Sequence, residues 1–223
     1  MYLVTAATNF EMDPFNSACR HDGIHTLVTG IGPVETSVRL MALLNRLSGQ
    51  IKGVVNFGVG GAYFDSSDSP KADLLDICLA EKEVLGDFGV CLEEEIERIS
   101  GKGLETSDTF VMDEGMFNLA SQALQKEQIP FHPGNFVTVS CTSGTAVRGA
   151  VLARQYDGIC ENMEGAAVAR VCQEFNLPCL EIRCISNHVE DRDISRWKLK
   201  QACRKSGEAA AVIVRHMVEN CHD

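Results

Sequence analysis

A short strand runs directly into a helix of small residues in the segment Glu161-Asn162-Met163-Glu164-Gly165-Ala166-Ala167-Val168-Ala169. The apolar spacing continues the helix over Gly165–Phe175, and the next apolar run, Leu180–Ile185, predicts a second strand. A strand, a helix and a strand in this order indicate an α/β fold, in which helices cover the faces of a sheet. Ligands of such folds bind beyond the carboxyl ends of the strands, so the polar residues at those ends are the candidates for a functional site.

The same alternation of strands and helices extends along the rest of the chain. No internal repeat, low-complexity tract or Pro/Ser-rich linker divides the sequence, so we expect a single domain over residues 1–223. A long last helix is expected to be capped by Ser195. Further strands are predicted at Tyr2–Ala6, Ile24–Thr29, Val54–Phe57, Leu74–Ala80 and Phe136–Val139, and further helices at Val34–Leu47 and Met116–Lys126.

The composition is typical of a folded globular protein. Of the 223 residues, 45% are hydrophobic and 23% are charged, which argues against a disordered or fibrous chain. The net charge of −11 argues against nucleic acid or an anionic membrane as a partner, because such surfaces attract positively charged proteins. The sequence contains no apolar run long enough for a transmembrane helix and no signal-peptide pattern, so we expect a cytoplasmic protein.

Ten cysteines are scattered along the chain, and none is spaced as in a metal-binding finger. In a reducing cytoplasm, such residues behave as small buried apolar side chains. The sequence also lacks the motifs that bind organic cofactors, and we expect neither a metal nor a cofactor.

Polar residues follow several of the predicted strands. Glu11 lies just past the first strand, where it is either a general base or a solvated loop carboxylate. The segment Asn56–Ala62, which includes Gly60, is a glycine-rich turn that lets the backbone approach a ligand, or a tight turn without one. The segment Cys141–Val147 opens a further helix whose amides either face a small molecule or are simply capped.

These strand ends match a known superfamily in order and spacing. They resemble the nucleoside phosphorylase and nucleosidase superfamily, and most of all its methylthioadenosine/adenosylhomocysteine nucleosidase branch. The resemblance covers nearly the whole chain. It implies a three-layer α/β/α sandwich around a central mixed, twisted β-sheet, an N-glycosyl hydrolase acting on a purine nucleoside, and a homo-oligomer that is a dimer or larger. The matching positions are Glu11, Gly30–Gly32, Asn56–Gly61, Met163–Ala167, Pro178, Arg183 and Ile185–Asn187.

Within this superfamily, the segment Ser186–Asp193 together with Trp197 resembles the futalosine hydrolases of the alternative menaquinone pathway. The resemblance implies release of hypoxanthine from futalosine, leaving dehypoxanthine futalosine. Futalosine is a purine nucleoside that carries a carboxylated aromatic group on its 5′ side.

Two departures from the nearest relatives bear on the substrate. Superfamily phosphorylases place an arginine before the glycine-rich turn to hold phosphate, whereas this chain has Asn56; a neutral amide favours water as the nucleophile. Adenine-releasing nucleosidases end the late motif in Ser-Asp, whereas this chain has Asn187. The amide NH₂ can donate a hydrogen bond to O6 of a 6-oxopurine and the amide oxygen can accept one from a protonated N7, unless Asn187 merely caps the junction of strand and loop.

The resemblance also implies roles for individual side chains. Glu164 would bind the ribose hydroxyls with Met163 packed on the sugar, Glu11 would deprotonate the attacking water, and Asn187 would hold the leaving base. Glu161 either faces the sugar or pairs with a neighbour. Gly60, Val147 and Asn162 are expected to contact the substrate. Arg148, Arg192 and His188 are candidates for its carboxylate, although each also fits a surface salt bridge.

Three competing classes remain open on the sequence. An adenine-specific nucleosidase would share every position except Asn187. A purine or uridine phosphorylase would share the fold but needs an anion-binding arginine. A purine-binding protein without activity would keep the pocket yet tolerate loss of Glu11 and Glu164.

Overall fold

The structure is a computed structural model that describes residues 1–47, 49–99, 101 and 107–220. Its larger strands and helices alternate along the chain as the sequence predicts. The strands are β1 (Tyr2–Ala6), β2 (Ile24–Val28), β3 (Gly53–Ala62), β4 (Ile77–Leu85), β5 (Val90–Cys91), β6 (Ile96–Glu97), β7 (Thr109–Val111), β8 (Phe131–Thr138), β9 (Gly158–Asn162) and β10 (Cys179–His188). The helices are α1 (Asn9–Ala18), α2 (Pro33–Arg46), α3 (Glu114–Lys126), α4 (Ala146–Tyr156), α5 (Gly165–Glu174) and α6 (Leu199–Glu219).

The central sheet is mixed, as predicted. Strand β3 pairs in parallel with β1 through its first half and with β10 along most of its length. At the end of β3, Gly61 and Ala62 pair with β10 on one side and with β9, in antiparallel register, on the other. Because β10 also pairs with β4, β4 with β8 and β8 with β9, the strands form a closed path at this end of the sheet. The closure brings the ends of β3, β9 and β10 side by side.

Helices cover both faces of the sheet, which confirms the three-layer arrangement. Val4, Val55 and Leu180 lie side by side in register and pack in one core cluster with α1, α3 and α6. The residues that precede them, Leu3, Val54 and Cys179, pack in the opposite cluster with α2 and α5. This follows from the two-residue period of a strand, which sends successive side chains to opposite faces.

Four sequence expectations about elements need correction. The segment Asn56–Ala62, expected to be a glycine-rich turn, continues strand β3 to Ala62. Helix α1 occupies a stretch where no helix was expected, although Thr8 and Glu11 form a capping box at its start. Ser195 does not cap the last helix: it lies in a 3-10 turn, Ile194–Arg196, and α6 begins after Lys198. The fourth strand begins at Ile77 rather than Leu74, because Leu75 has a φ of 72°, outside the extended region.

The cysteine expectation is confirmed for most of the described residues. Seven of the nine described cysteines are buried, and Cys91 and Cys141 are exposed. Among the described helices, none is both long enough and apolar enough to cross a membrane.

Candidate active site

Two carboxylates and one guanidinium meet around Gly58 and Val59 of β3. The Glu11 carboxylate accepts a hydrogen bond from Val59 N at 3.1 Å, and Arg183 Nη1 donates to Val59 O at 3.2 Å. Arg183 Nη1 also lies 3.2 Å from Glu164 Oε2. A methyl group on Gly58 would stand 2.5 Å from Glu11 Oε1 and 2.7 Å from Arg183 Nη1, so only glycine leaves room for both groups. The structure thus brings together Glu11 and Glu164, two residues far apart in the sequence.

Glu11 is held by the first turn of α1. Its Oε2 accepts hydrogen bonds from Thr8 N at 3.0 Å and Thr8 Oγ1 at 2.7 Å, which closes the capping box. Burial raises the pKa of Glu11 above its usual value, while the positive charge of Arg183 and the Thr8 hydroxyl act in the opposite direction. A buried carboxylate with a raised pKa is suited to accept a proton near neutral pH.

Glu164 stands at the start of α5 and joins that helix to α2. Its Oε1 accepts a hydrogen bond from Gly32 N at 3.1 Å, and its Oε2 faces Arg183. Gly32 is the residue before the first turn of α2 and has a φ of 91°, a conformation that favours glycine. The carboxylate is therefore fixed by a backbone amide on one side and a guanidinium on the other.

Next to Arg183 lies a pair of buried carboxyl groups, Glu83 of β4 and Glu181 of β10. Glu181 Oε1 accepts from Arg183 Nε at 2.7 Å, and Glu83 and Glu181 hydrogen-bond to each other. Two adjacent carboxylates in a dry interior cannot both ionise easily. Burial and the charge of Glu181 raise the pKa of Glu83 well above its usual range, so Glu83 keeps the proton. The Arg183 charge is thus balanced by Glu181 and Glu164.

Asn162 connects the Glu83–Glu181 pair to Glu164. Its Oδ1 accepts from the backbone amides of Glu164 at 2.9 Å and Gly165 at 2.8 Å, and its Nδ2 donates to Glu83. The side chain therefore caps the start of α5 and orients Glu164. The expected contact of Asn162 with the substrate stays a prediction.

Asn187 lies at the end of β10, beside Gly61 of β3. The Ser186 hydroxyl lies 2.8 Å from Asn187 Oδ1 and 3.2 Å from Gly60 O, and Asn187 Nδ2 donates to His188 O. The amide is half-buried and oriented by these contacts, with its nitrogen side near Gly61. Met163, also half-buried, immediately precedes Glu164.

The remaining predicted binding residues gather where α4 begins. Val147 is 71% exposed in the first turn of α4. Arg192 N donates to Gly144 O, which ties the loop after β10 to the turn before this helix. Arg148 lies 3.9 Å from Asp87, and the Arg192 guanidinium stacks on Trp197 at 5.2 Å. The structure places these two arginines at one end of the sheet, and their contact with a substrate carboxylate stays a prediction.

A phosphorylase superfamily model matches residues 21–219. The chain belongs to the phosphorylase superfamily.

Its relatives in this superfamily include nucleosidases. The chain is 30% identical over 189 residues to the futalosine hydrolase of Thermus thermophilus, covering 81% of this chain and 76% of the relative. It is 29% identical over 185 residues to the futalosine hydrolase of Streptomyces coelicolor, with 81% and 74% coverage. A crystal structure of the methylthioadenosine/adenosylhomocysteine nucleosidase of Helicobacter pylori has the same fold, with a TM-score of 0.81, 18% identity and coverage of 96% and 97%. The chain is accordingly an N-glycosyl hydrolase.

Sequence reasoning assigned no role to three residues of this superfamily member: Glu83, Glu181 and Arg183. Each carries an ionisable side chain, yet each is buried within a strand of the central sheet. A charge inside an apolar run is a signal for a buried ion pair or site, because unpaired charges are excluded from protein interiors. Within the described residues, no group of three or more metal-binding side chains is arranged to hold an ion.

Proposed function

We propose that this chain hydrolyses the N-ribosidic bond of futalosine and releases hypoxanthine and dehypoxanthine futalosine. The observation that carries the proposal is the convergence of Glu11 and Glu164 on Arg183 around Gly58 and Val59. In the reaction, the oxygen of water bonds to C1′ of the ribose while the bond from C1′ to N9 breaks. The base leaves with the bonding electron pair and takes up a proton at N7 from the solvent, while Glu11 takes the proton released by the attacking water.

Glu11 is the general base of this step. It is ionisable, buried and fixed by Thr8 and Val59, and it lies next to the cation Arg183. A water placed between Glu11 and the sugar would give up its proton to this carboxylate as the new bond forms. A positioned base of this kind contributes about 10²–10⁴-fold to the rate.

Glu164 binds the ribose hydroxyls and stabilises the sugar as it becomes positively charged. Loss of the base leaves an oxocarbenium-like ribose, and a preorganised carboxylate in a dry site stabilises that charge more than water does. Glu164 is already fixed by Gly32 and Arg183. Met163, its neighbour, packs on the sugar.

Water is favoured over phosphate as the nucleophile. Asn56 is a neutral side chain at the position where the phosphorylases have an arginine, and its Oδ1 accepts from Thr5 Oγ1 at 2.9 Å. Arg183, the buried cation of the site, faces Glu181 and Glu164. A cation already balanced by carboxylates is a poor anchor for a phosphate dianion.

The base is a 6-oxopurine, held at its O6 and N7 edge by Asn187. The neutral amide offers both a donor and an acceptor, which matches O6 and a protonated N7. The futalosine carboxylate is bound by Arg148 or Arg192, which lie at the same end of the sheet. The substrate is also contacted by Gly60, Val147 and Asn162.

We also propose three properties of the chain as a whole. Residues 1–223 act as one nucleosidase domain, since the network around Arg183 draws side chains from positions 11 to 183. The protein is cytoplasmic, where its unpaired cysteines stay reduced. It forms a homo-oligomer, a dimer or larger, through the exposed apolar residues Ile31, Val34 and Val38.

A product assay tests the reaction. Purified protein is incubated with futalosine, inosine or methylthioadenosine, each with and without phosphate, and the released bases are separated by chromatography. We expect hypoxanthine from futalosine at a rate independent of phosphate. Adenine from methylthioadenosine alone would move the chain to the adenine-releasing nucleosidases, and a requirement for phosphate would make it a phosphorylase.

A further inference from the structure

Glu161 of β9 and Asn187 of β10 flank the same glycine. Gly61 of β3 pairs with Glu161 on one side and with Asn187 on the other. A methyl group on Gly61 would stand 3.0 Å from Asn187 Nδ2 and 3.6 Å from Glu161 Cγ. Both side chains therefore leave the sheet on the same face and lean over Gly61, and the mechanism described above uses only one of them.

The Glu161 carboxylate is surrounded by donors. Ser143 N donates to its Oε1 at 2.9 Å, while Ser143 Oγ and Tyr63 OH donate to its Oε2 at 2.7 and 3.2 Å. Burial and the nearby Glu161 charge raise the pKa of Tyr63 well above its usual value, so the phenol remains a donor. A carboxylate has about four acceptor positions. Among the residues that the structure describes, these donors occupy three of the positions and leave one on Oε1 open.

We infer that Glu161 is a specificity-determining residue of the base site, whose open acceptor position takes the N1–H of a 6-oxopurine while Asn187 serves O6 and N7. The inference rests on the proposed function, because it concerns the base of the same substrate. On a 6-oxopurine, N1–H is adjacent to O6, and O6 is adjacent to N7 along one edge of the ring. Two side chains that converge from neighbouring strands are suited to read such an edge together.

The same arrangement disfavours a 6-aminopurine. In adenine, N1 carries a lone pair and no hydrogen, so it would place an acceptor against the Glu161 carboxylate. An unmatched pair of acceptors in a buried site costs the full desolvation of both groups. Sites built to bond an N–H discriminate strongly against analogues that lack it. Glu161 would thereby add to the selectivity that Asn187 provides at the neighbouring atoms.

The variant Glu161→Gln tests this inference. Its amide keeps the size of the side chain and can donate to N1 of a 6-aminopurine. The measurement is kcat/KM for futalosine and for its 6-amino analogue, in the wild type and in the variant. We expect the ratio of kcat/KM for futalosine to kcat/KM for the 6-amino analogue to be at least about tenfold lower in the variant than in the wild type, the equivalent of one well-formed hydrogen bond. An equal loss on both substrates would overturn the inference and leave Glu161 as a clamp for the loop at Ser143.

Two controls separate the alternatives. Ser143→Ala loosens the loop but leaves the Glu161 acceptor, so both substrates should lose activity to the same extent. Glu93→Gln makes the same chemical change on an exposed side chain and should change neither. A fall in the futalosine-to-analogue ratio in Ser143→Ala equal to that in Glu161→Gln would contradict a specific role for Glu161.

A measurement on the wild type keeps the inference testable if Glu161→Gln does not fold. Hypoxanthine should bind at least about ten times more tightly than 1-methylhypoxanthine, which lacks the N1–H. Equal binding would overturn the inference. Failure of the proposed function has a different signature, because wild-type protein would then release no hypoxanthine from futalosine whatever the variant does.

Discussion

At the scale of single residues, the buried carboxyl pair sets the charge around Arg183. Because Glu83 keeps its proton, Glu83→Gln preserves both its size and its neutrality, and we expect the free energy of unfolding to change by less than about 1 kcal/mol. Glu181→Gln removes the anion that faces Arg183 and leaves a buried charge partly unpaired, which we expect to cost about 3–5 kcal/mol. Urea unfolding of the two variants measures the difference, and a larger loss in Glu83→Gln than in Glu181→Gln would show that Glu83 is the ionised member.

The pH dependence of activity should report Glu11. The base must be ionised, so activity falls as the pH drops through its pKa, which burial raises above the usual 4.5. We therefore expect the acid limb of kcat at a pH above 4.5. Glu11→Gln should lower kcat by about 10²–10⁴-fold and remove that limb. A normal limb in the variant would assign the titration to another group.

Thr8 offers a test of the same carboxylate through its environment. The Thr8 hydroxyl donates to Glu11 Oε2 and lowers the pKa of Glu11. Thr8→Val removes that donor with little change in size, so the pKa should rise and the acid limb should move to higher pH. The control is Thr109→Val, a change of the same kind on an exposed residue of β7. If the Thr8→Val variant has the same pH profile as the wild type, a group other than Glu11 determines the acid limb.

At the scale of elements, the sequence predicted the pattern of the fold better than the ends of its elements. The two-residue alternation of Leu3 and Val4, repeated in Val54 and Val55, is visible in the sequence and is found in the two core clusters. Helix α1 was missed because it is short and has Pro14 inside it. The capping-box spacing of Thr8 and Glu11 would have indicated it.

The site was predictable where its residues stand at strand ends and unpredictable where long-range pairing brings residues together. Glu11 and Glu164 follow predicted strands, and the resemblance supplied their expected roles. The partners of Arg183 depend on β10 pairing with both β3 and β4. That pairing is set by the whole sheet, so no local pattern in the sequence identifies Glu83 as the neighbour of Glu181.

The start of α5 gives a prediction about an element. A methyl group on Gly165 would collide with the carboxyl oxygens of Glu83 and Glu181. Gly165→Ala should therefore separate the pair and lower the stability by at least about 1–3 kcal/mol, despite the better helix propensity of alanine. Gly115→Ala, in the first turn of α3 and exposed, is the matched control and should be neutral or stabilising. Thermal unfolding compares the two variants. Equal midpoints would show that Glu83 and Glu181 can move away from the added methyl group without loss of stability.

At the scale of the whole molecule, the first two turns of α2 and the residue Ile31 before it present an apolar stripe to the outside. Ile31, Val34 and Val38 are 59%, 76% and 62% exposed and follow one another at helical spacing. Gly32, within this stripe, donates to Glu164. An exposed apolar face of this kind marks an interaction surface more often than a solvated one. A partner bound to this stripe would therefore lie close to Glu164, the carboxylate proposed to bind ribose.

The stripe should be where two copies of the chain meet. Closed symmetric dimers are the commonest soluble oligomers, and a charge at the centre of such an apolar contact opposes association because it must be desolvated. We expect the wild type to sediment as a dimer or larger, and Val34→Asp to sediment at a lower mass with reduced activity, since Gly32 loses its support beside Glu164. Val111→Asp, on an equally exposed valine of β7, is the matched control and should leave mass and activity unchanged. A wild type that sediments as a monomer, or a Val34→Asp protein of unchanged mass, would show that the stripe is not the contact between copies.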